Sequence, residues 1–208
     1  MAAGVLGMLA LCAAWLGPLP ARAATSFAAH MTMHMLVVAV AAPLLALGLA
    51  GTRVDPVRRW PAPFAPILAS LAELFVVWVW HAPALHHAAR HHFGVRALEQ
   101  GSFLAAGLWL WLAVLGGPRA LHEARRGAGI LALLLTSMHM TLLGALLALP
   151  PRVLYLHGPI HDAAASLADQ HWGGAIMLIG GSLVYLLGGL WLARGLLMGA
   201  PPRDGRAV

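Results

Sequence analysis

The sequence predicts an all-α, polytopic transmembrane helix bundle of about six helices. Of its 208 residues, 61% are hydrophobic and only 10% are charged, and the mean hydropathy is +0.80. A water-soluble domain of this length cannot bury so much apolar surface. The apolar residues also fall into runs close to the ~20 residues that cross a bilayer as a helix, without the period-two alternation of a barrel. We therefore interpret residues 1–208 as a single integral membrane domain.

Six apolar runs are the predicted spans, and stretches rich in proline and glycine separate them. The runs are Met1–Leu19, Phe27–Leu49, Phe64–His81, Ala97–Leu115, Ile130–Leu149 and Trp172–Leu192. Pro43 lies inside the second run and predicts a kink there. The first run, residues 1–19, has a second interpretation, because Ala21-Arg22-Ala23 resembles a signal-peptide cleavage pattern. We favour a retained span, and cleavage would leave five spans.

The arginines predict the orientation, since the sequence contains no lysine. Nine of the 13 arginines follow the second, fourth and sixth runs: Arg53, Arg58, Arg59, Arg119, Arg125, Arg126, Arg194, Arg203 and Arg206. The positive-inside rule places these loops and the tail 200–208 on the cytoplasmic side of the membrane. Orientation in lipid thus explains the net charge of +6, and nucleic acid is not predicted as a partner. The single cysteine, Cys12, excludes an intrachain disulfide and a Cys-x-x-Cys site.

The histidines are sorted to one side of this topology. Ten of the twelve fall at or near the outer, periplasmic ends of the runs: His30, His34, His81, His86, His87, His91, His92, His157, His161 and His171. His139 is predicted at mid-depth in the fifth run, and His122 in a cytoplasmic loop. A one-sided group of imidazoles flanked by methionines predicts a site for a transition metal or a haem.

The sharpest local motif is the run His30-Met-Thr-Met-His34-Met at the outer start of the second span. His30 and His34 share one helical face, which suits two imidazoles on one ion. The thioethers of Met31, Met33 and Met35 suit Cu(I), whereas imidazole accepts Cu(I), Cu(II) or Zn(II). The alternative to a metal site is that the two histidines cap the span at the membrane interface, while the methionines face lipid or pack against other helices. We favour a metal site, because two histidines within a span are costly without a role.

Two ionisable residues are predicted at equal depth in the membrane. Glu73 lies in the third run and His139 in the fifth. Each is expensive alone in a bilayer and less so when paired, so we expect contact between their side chains. The pair is either purely structural or a functional one, in which Glu73 orients His139 or relays its proton.

The outer loops supply further candidates. His81 ends the third run beside a tryptophan, and a functional role is favoured for it. An ordinary polar turn is slightly favoured for the four histidines that follow, His86, His87, His91 and His92, although His87 and His91 can share a helical face. Asp169 precedes the sixth run, where an aspartate is most often an N-cap, and a role as ligand or orienting partner stays open.

Four stretches carry a family resemblance. They are AHMTMHMLVVAVAAPLLALG at 29–48, WHAPALHHAARHHFGVRALEQGSFLAAG at 80–107, MHMTLLGALLALPPRVLY at 138–155 and DQHWGGAIMLIGG at 169–181. In this order they resemble the multi-span CtaG-type cytochrome c oxidase assembly factors. Such proteins are implicated in making an active copper-containing terminal oxidase. The sequence departs from the family pattern at Gln100, where a histidine usually follows Glu99, and in having six predicted spans instead of seven.

The resemblance implies importance for a set of candidate metal ligands: His30, His34, His81, His92, His139 and Asp169. Four methionines next to these histidines are candidate cofactor-binding residues: Met31, Met33, Met35 and Met138. Glu73 and Glu99 are candidates for orienting a ligand or relaying a proton.

We expect an assembly factor that binds copper transiently at its outer side and transfers it to oxidase subunits, with a copper donor protein as a further partner. No nucleophile–base pair, phosphate loop or carboxylate dyad appears in the sequence, so an enzyme is not predicted. The alternative is a haem-binding redox protein, in which two histidines such as His34 and His139 ligate a b-type haem. A scaffold that binds nothing is a third interpretation.

Overall fold

The computed structural model describes residues 2–155 and 162–198, and every regular element within those ranges is helical. The helices are α1 (Ala2–Trp15), α2 (Leu19–Ala23), α3 (Phe27–Met35), α4 (Ala42–Leu49), α5 (Pro56–Arg59), α6 (Pro66–Trp80), α7 (Pro83–His91), α8 (Phe93–Leu115), α9 (Arg119–Ala148) and α10 (Ala163–Leu197). A π-helical segment, Leu36–Ala41, joins α3 to α4. The predicted all-α class is confirmed.

Among the residues that the structure describes, four stretches are long and apolar enough to cross a membrane: Phe27–Leu49, Phe93–Leu115, Arg119–Ala148 and Ala163–Gly195. Helices α6 and α7 pass the same test together but are bent by 73° at their junction, so they form a fifth, broken span or a re-entrant loop. Helix α1 is apolar but has only 14 residues, about 21 Å of helix at ~1.5 Å per residue. The predicted bundle of about six helices is thus a bundle of four or five long spans and one shorter apolar helix.

The second span is continuous but irregular at its centre. Pro43 lies in the first turn of α4, directly after the π-helical segment. Proline cannot donate an amide hydrogen bond to the preceding turn, and π-helical turns inside α-helices occur frequently at functional sites. Here the irregular segment includes the carbonyl of Val38, which accepts a hydrogen bond of 3.5 Å from the Tyr185 hydroxyl of α10.

Small residues let the last two spans approach closely. A Cβ at Gly144 of α9 would lie 2.6 Å from the backbone nitrogen of Leu178, and one at Gly174 of α10 would lie 2.4 Å from that of Ala148. Neither position tolerates a side chain without separating the helices, as is common where membrane helices pack by close backbone contact. Helix α10 of this close pair also packs against α3.

Candidate metal centre

A carboxylate from the last span fixes the start of α3. Asp169 of α10 accepts a hydrogen bond of 2.7 Å from the Ser26 hydroxyl and one of 2.5 Å from the backbone N–H of Phe27. These groups form the first turn of α3, where unpaired N–H groups and the helix dipole favour a negative charge. The carboxylate thus holds in place the helix that carries His30 and His34.

Four buried histidines converge beyond this turn. His30 and His34 come from α3, His81 from the end of α6 and His86 from α7. The ring centroids of His30 and His34 lie 4.3 Å apart, those of His30 and His86 4.6 Å apart, and those of His34 and His81 5.7 Å apart. The α3 pair meets because its members are one helical turn apart, whereas His86 joins them through the 73° bend between α6 and α7.

Glu99 of α8 brings a carboxylate to this group. Its side chain is fully buried, and Oε1 lies 3.4 Å from His30 Nε2 and 3.8 Å from His34 Nε2. Within the described part of the chain, Oε1 accepts no hydrogen bond. One ligand atom from each of His30, His86 and Glu99 lies within 4.8 Å of the other two. We name the five residues His30, His34, His81, His86 and Glu99 the His–Glu cluster.

Gln100 sets the protonation pattern at one side of the cluster. The Trp15 indole, which can only donate, points to Gln100 Oε1 at 3.3 Å, so the amide NH₂ faces His34 Nδ1 at 3.1 Å and Glu99 Oε2 at 3.3 Å. His34 Nδ1 is therefore an acceptor, and a neutral His34 carries its proton on Nε2, on the side of Glu99. His34 in this form presents an N–H group towards Glu99 and does not offer Nε2 as a ligand.

His81 has the opposite tautomer. Its Nδ1 lies 2.7 Å from the carbonyl oxygen of Val77, which only accepts, so Nδ1 carries the proton. Nε2 then has a free electron pair, is buried, and makes no hydrogen bond to any residue that the structure describes. A hydrogen bond from one ring nitrogen to a backbone carbonyl is the usual way in which proteins orient a metal-binding histidine.

Tyr155, in the loop between α9 and α10, covers the cluster. Its ring stacks on Phe27 at 4.8 Å and meets the edge of His86 at 4.7 Å. The Tyr155 hydroxyl donates to the carbonyl of His81 at 2.5 Å, and burial raises its pKa to about 12, so it remains a donor. Gln170 of α10 holds this loop, accepting hydrogen bonds from the Leu154 and Tyr155 amides at 2.6 and 3.3 Å.

Several predicted site residues lie elsewhere. His92 is exposed between α7 and α8. His139 is buried in α9, and Asp169 acts on the start of α3 without joining the His–Glu cluster. His157, His161 and the tail 200–208 lie outside the described residues.

The candidate thioethers also point away from the cluster. The side chain of Met31 lies against Gly173 and that of Met35 against Gly180, both on α10. Met33 lines an apolar cleft beside Gln100, and Met138 is 67% exposed on the outside of α9. In this arrangement imidazole and carboxylate groups, rather than sulfur, supply the donors around the cluster.

The predicted Glu73–His139 hydrogen bond is wrong. The Glu73 carboxylate instead accepts a hydrogen bond from Tyr185 of α10. It also lies close to α8, because a Cβ added at Gly107 would be 3.7 Å from Glu73 Oε1. Neither ring nitrogen of His139 has a hydrogen-bond partner among the described residues. The two residues were paired by depth alone, and the rotation of α6 turns Glu73 towards α8 and α10.

Sequence reasoning gave too little weight to three residues. His86 was grouped with a polar turn, although Pro83 directly after the Trp80-His81 pair signals a new helix whose direction differs. Tyr155 lies in the stretch MHMTLLGALLALPPRVLY and Gln170 in the DQ pair of 169–170, but no spacing rule connects either position to histidines on other helices.

The fold and the His–Glu cluster define a polytopic membrane protein with a buried candidate metal centre. The family model Caa3_CtaG, described as cytochrome c oxidase caa3 assembly factor, matches residues 2–198. The chain therefore belongs to this family of cytochrome c oxidase assembly factors, as the resemblance predicted. Comparison with curated proteins and with solved structures finds no match.

Proposed function

We propose that this assembly factor assists copper incorporation into cytochrome c oxidase, with copper as its cargo at the His–Glu cluster. The observation that supports this most is the convergence of His30, His86 and Glu99, whose ligand atoms lie within 4.8 Å of one another in a buried site. The family supplies the oxidase as the assembly target, and the donor set supplies the chemistry.

The donors fit a monovalent copper ion. Imidazole binds copper in either oxidation state, and His81 adds an electron pair at Nε2 beside the three convergent residues. Glu99 contributes one negative charge and neutral imidazoles contribute none, so Cu(I) leaves the buried site with no net charge. A net charge in so apolar an interior is costly, and this favours Cu(I) over Cu(II).

The surrounding residues hold the donors in place. Asp169 fixes the start of α3, Gln100 orients Glu99 and His34, and Tyr155 covers His86 and binds the His81 backbone. Such orienting contacts commonly contribute roughly 10–100-fold to metal affinity. The protein in this role binds and releases an ion and catalyses no covalent step.

The arginine distribution supports a position of the cluster at the periplasmic side of a bacterial inner membrane. A donor protein in the periplasm would then deliver copper, and oxidase subunits in the same membrane would receive it. The haem alternative gains no support from the packing. The His34 ring is enclosed by His30 at 4.3 Å, Phe103 at 4.3 Å and His81 at 5.7 Å, where a porphyrin would have to fit.

The test is copper binding by the purified, detergent-solubilised protein in competition with a Cu(I) chelator. We expect the double variant His30→Ala/His86→Ala to lose tight binding and to lower the yield of active oxidase in membranes. His122→Ala, at the opposite end of the bundle, is the matched control and should bind as the wild type does. Unchanged tight binding in the double variant would remove the His–Glu cluster as the copper site.

A further inference from the structure

A second pair of histidines lies outside the His–Glu cluster, on the exposed face of α7. His87 and His91 are one helical turn apart, both are exposed, and their ring centroids lie 4.3 Å apart. Two imidazoles with this spacing on a helix are a recurring way to hold one transition-metal ion. Neither residue takes part in the proposed function.

A cleft of about 210 Å³ is lined by one member of this pair and by one member of the His–Glu cluster. It is lined by Pro83, His86, His87, Arg90, Leu154 and Tyr155. His87 therefore belongs both to the exposed pair and to the cleft, and His86 belongs both to the cleft and to the cluster. An exposed imidazole and a buried one thus line the same cleft.

Arg90 decides how an ion can use this cleft. Its guanidinium donates to the carbonyl of Ala24 at 2.8 Å, which keeps a fixed positive charge in the lining. This charge repels Cu(I) in the cleft whether the ion is hydrated or bound to neutral imidazoles. Bonds to histidine nitrogens can offset the repulsion, so ligand exchange from histidine to histidine is favoured over diffusion of a hydrated ion.

We propose that His87 and His91 form a docking site for Cu(I), from which the ion passes by ligand exchange through the cleft to His86. This inference rests on the proposed function, since it needs the His–Glu cluster as the destination. The ion keeps its oxidation state, and imidazole ligands replace one another without a redox step. The partner that delivers the ion contacts α7, whose exposed face carries the pair.

The experiment is stopped-flow loading of the purified full chain with chelator-buffered Cu(I), combined with the bound stoichiometry at equilibrium. The wild type should bind two equivalents of Cu(I), and the buried site in the His–Glu cluster should fill rapidly. His87→Ala/His91→Ala should lose one equivalent and the rapid phase, while the final occupancy and affinity of the remaining site are unchanged. The single variant His91→Cys, which keeps His87 and a metal ligand one turn from it, should still bind the second equivalent of Cu(I).

The outcomes separate this inference from the proposed function. If the wild type binds no Cu(I), both fall. If it binds a single equivalent that His30→Ala/His86→Ala removes, and His87→Ala/His91→Ala changes neither amount nor rate, only the docking pair falls. Circular dichroism and gel filtration of each variant establish that it is folded, and His122→Ala is the control for loss of a histidine remote from the cleft.

Discussion

Removing the Asp169 carboxylate should weaken copper binding without touching a ligand. The carboxylate accepts two short hydrogen bonds, from Ser26 Oγ and from Phe27 N. Hydrogen bonds to a charged group contribute ~1.5–3 kcal/mol each, so Asp169→Ala should destabilise the start of α3 by at least ~3 kcal/mol. In Asp169→Asn, Oδ1 can still accept from the Phe27 N–H and Nδ2 can donate to Ser26 Oγ; two such neutral contacts are worth ~1 kcal/mol each, so the loss is smaller but at least ~1 kcal/mol.

Destabilising the start of α3 should displace His30 and His34 and so lower the affinity for Cu(I). We expect Asp169→Ala to lower it roughly 10–100-fold, the usual effect of losing an orienting contact, and Asp169→Asn to lower it less. Chelator competition measures the affinity, and thermal unfolding in detergent measures the stability. Asp162→Ala is the matched control, because Asp162 caps α10 through Ala165 N at 3.0 Å but does not contact α3. If Asp169→Ala destabilises the protein and yet binds Cu(I) as tightly as the control, the carboxylate does not position the site.

Three further expectations concern the orientation, the cover over the cluster and the mid-membrane acid. A cysteine introduced at the exposed Ala84, in a background without the native cysteine, should react with a membrane-impermeant maleimide in intact spheroplasts; labelling only after lysis would reverse the proposed sidedness. Tyr155→Phe removes one hydrogen bond and should cost ~1 kcal/mol of stability, with faster Cu(I) release measured by chelator capture; an unchanged release rate would contradict the covering role. Glu73→Gln keeps an acceptor for the Tyr185 hydroxyl, so oxidase yield should survive it better than Glu73→Leu, and equal loss in both would indicate that Glu73 titrates.

Sequence patterns within one helix predicted the site best. His30 and His34 were predicted to share a face because an interval of four residues fixes their relation whatever the rest of the fold does, and the structure places them side by side. The same rule predicted the contact between His87 and His91. Asp169 was expected to cap its own helix, whereas α10 begins at Ala163 and the carboxylate caps α3.

The sequence did not predict how the helices are rotated and bent relative to one another. The depth of a residue follows from counting along its span, but its direction depends on the rotation of the helix, which packing against neighbours sets. Glu73 and His139 therefore share no hydrogen bond despite their equal predicted depth. His86 reaches the cluster only through the bend between α6 and α7, and an apolar run indicates neither the size nor the direction of such a bend.

X-ray absorption at the copper edge of the Cu(I)-loaded protein tests the central claim most directly. The methionines of α3 either pack against α10 or line the cleft beside Gln100. We therefore predict that nitrogen and oxygen atoms alone bind the copper ion, with the scattering pattern of imidazole. His30→Ala/His86→Ala should lose the tightly bound copper and reduce this signal. A copper ion coordinated mainly by thioether sulfur, or an imidazole signal that survives when His30→Ala/His86→Ala is combined with His87→Ala/His91→Ala, would contradict the assignment of the His–Glu cluster as the copper site.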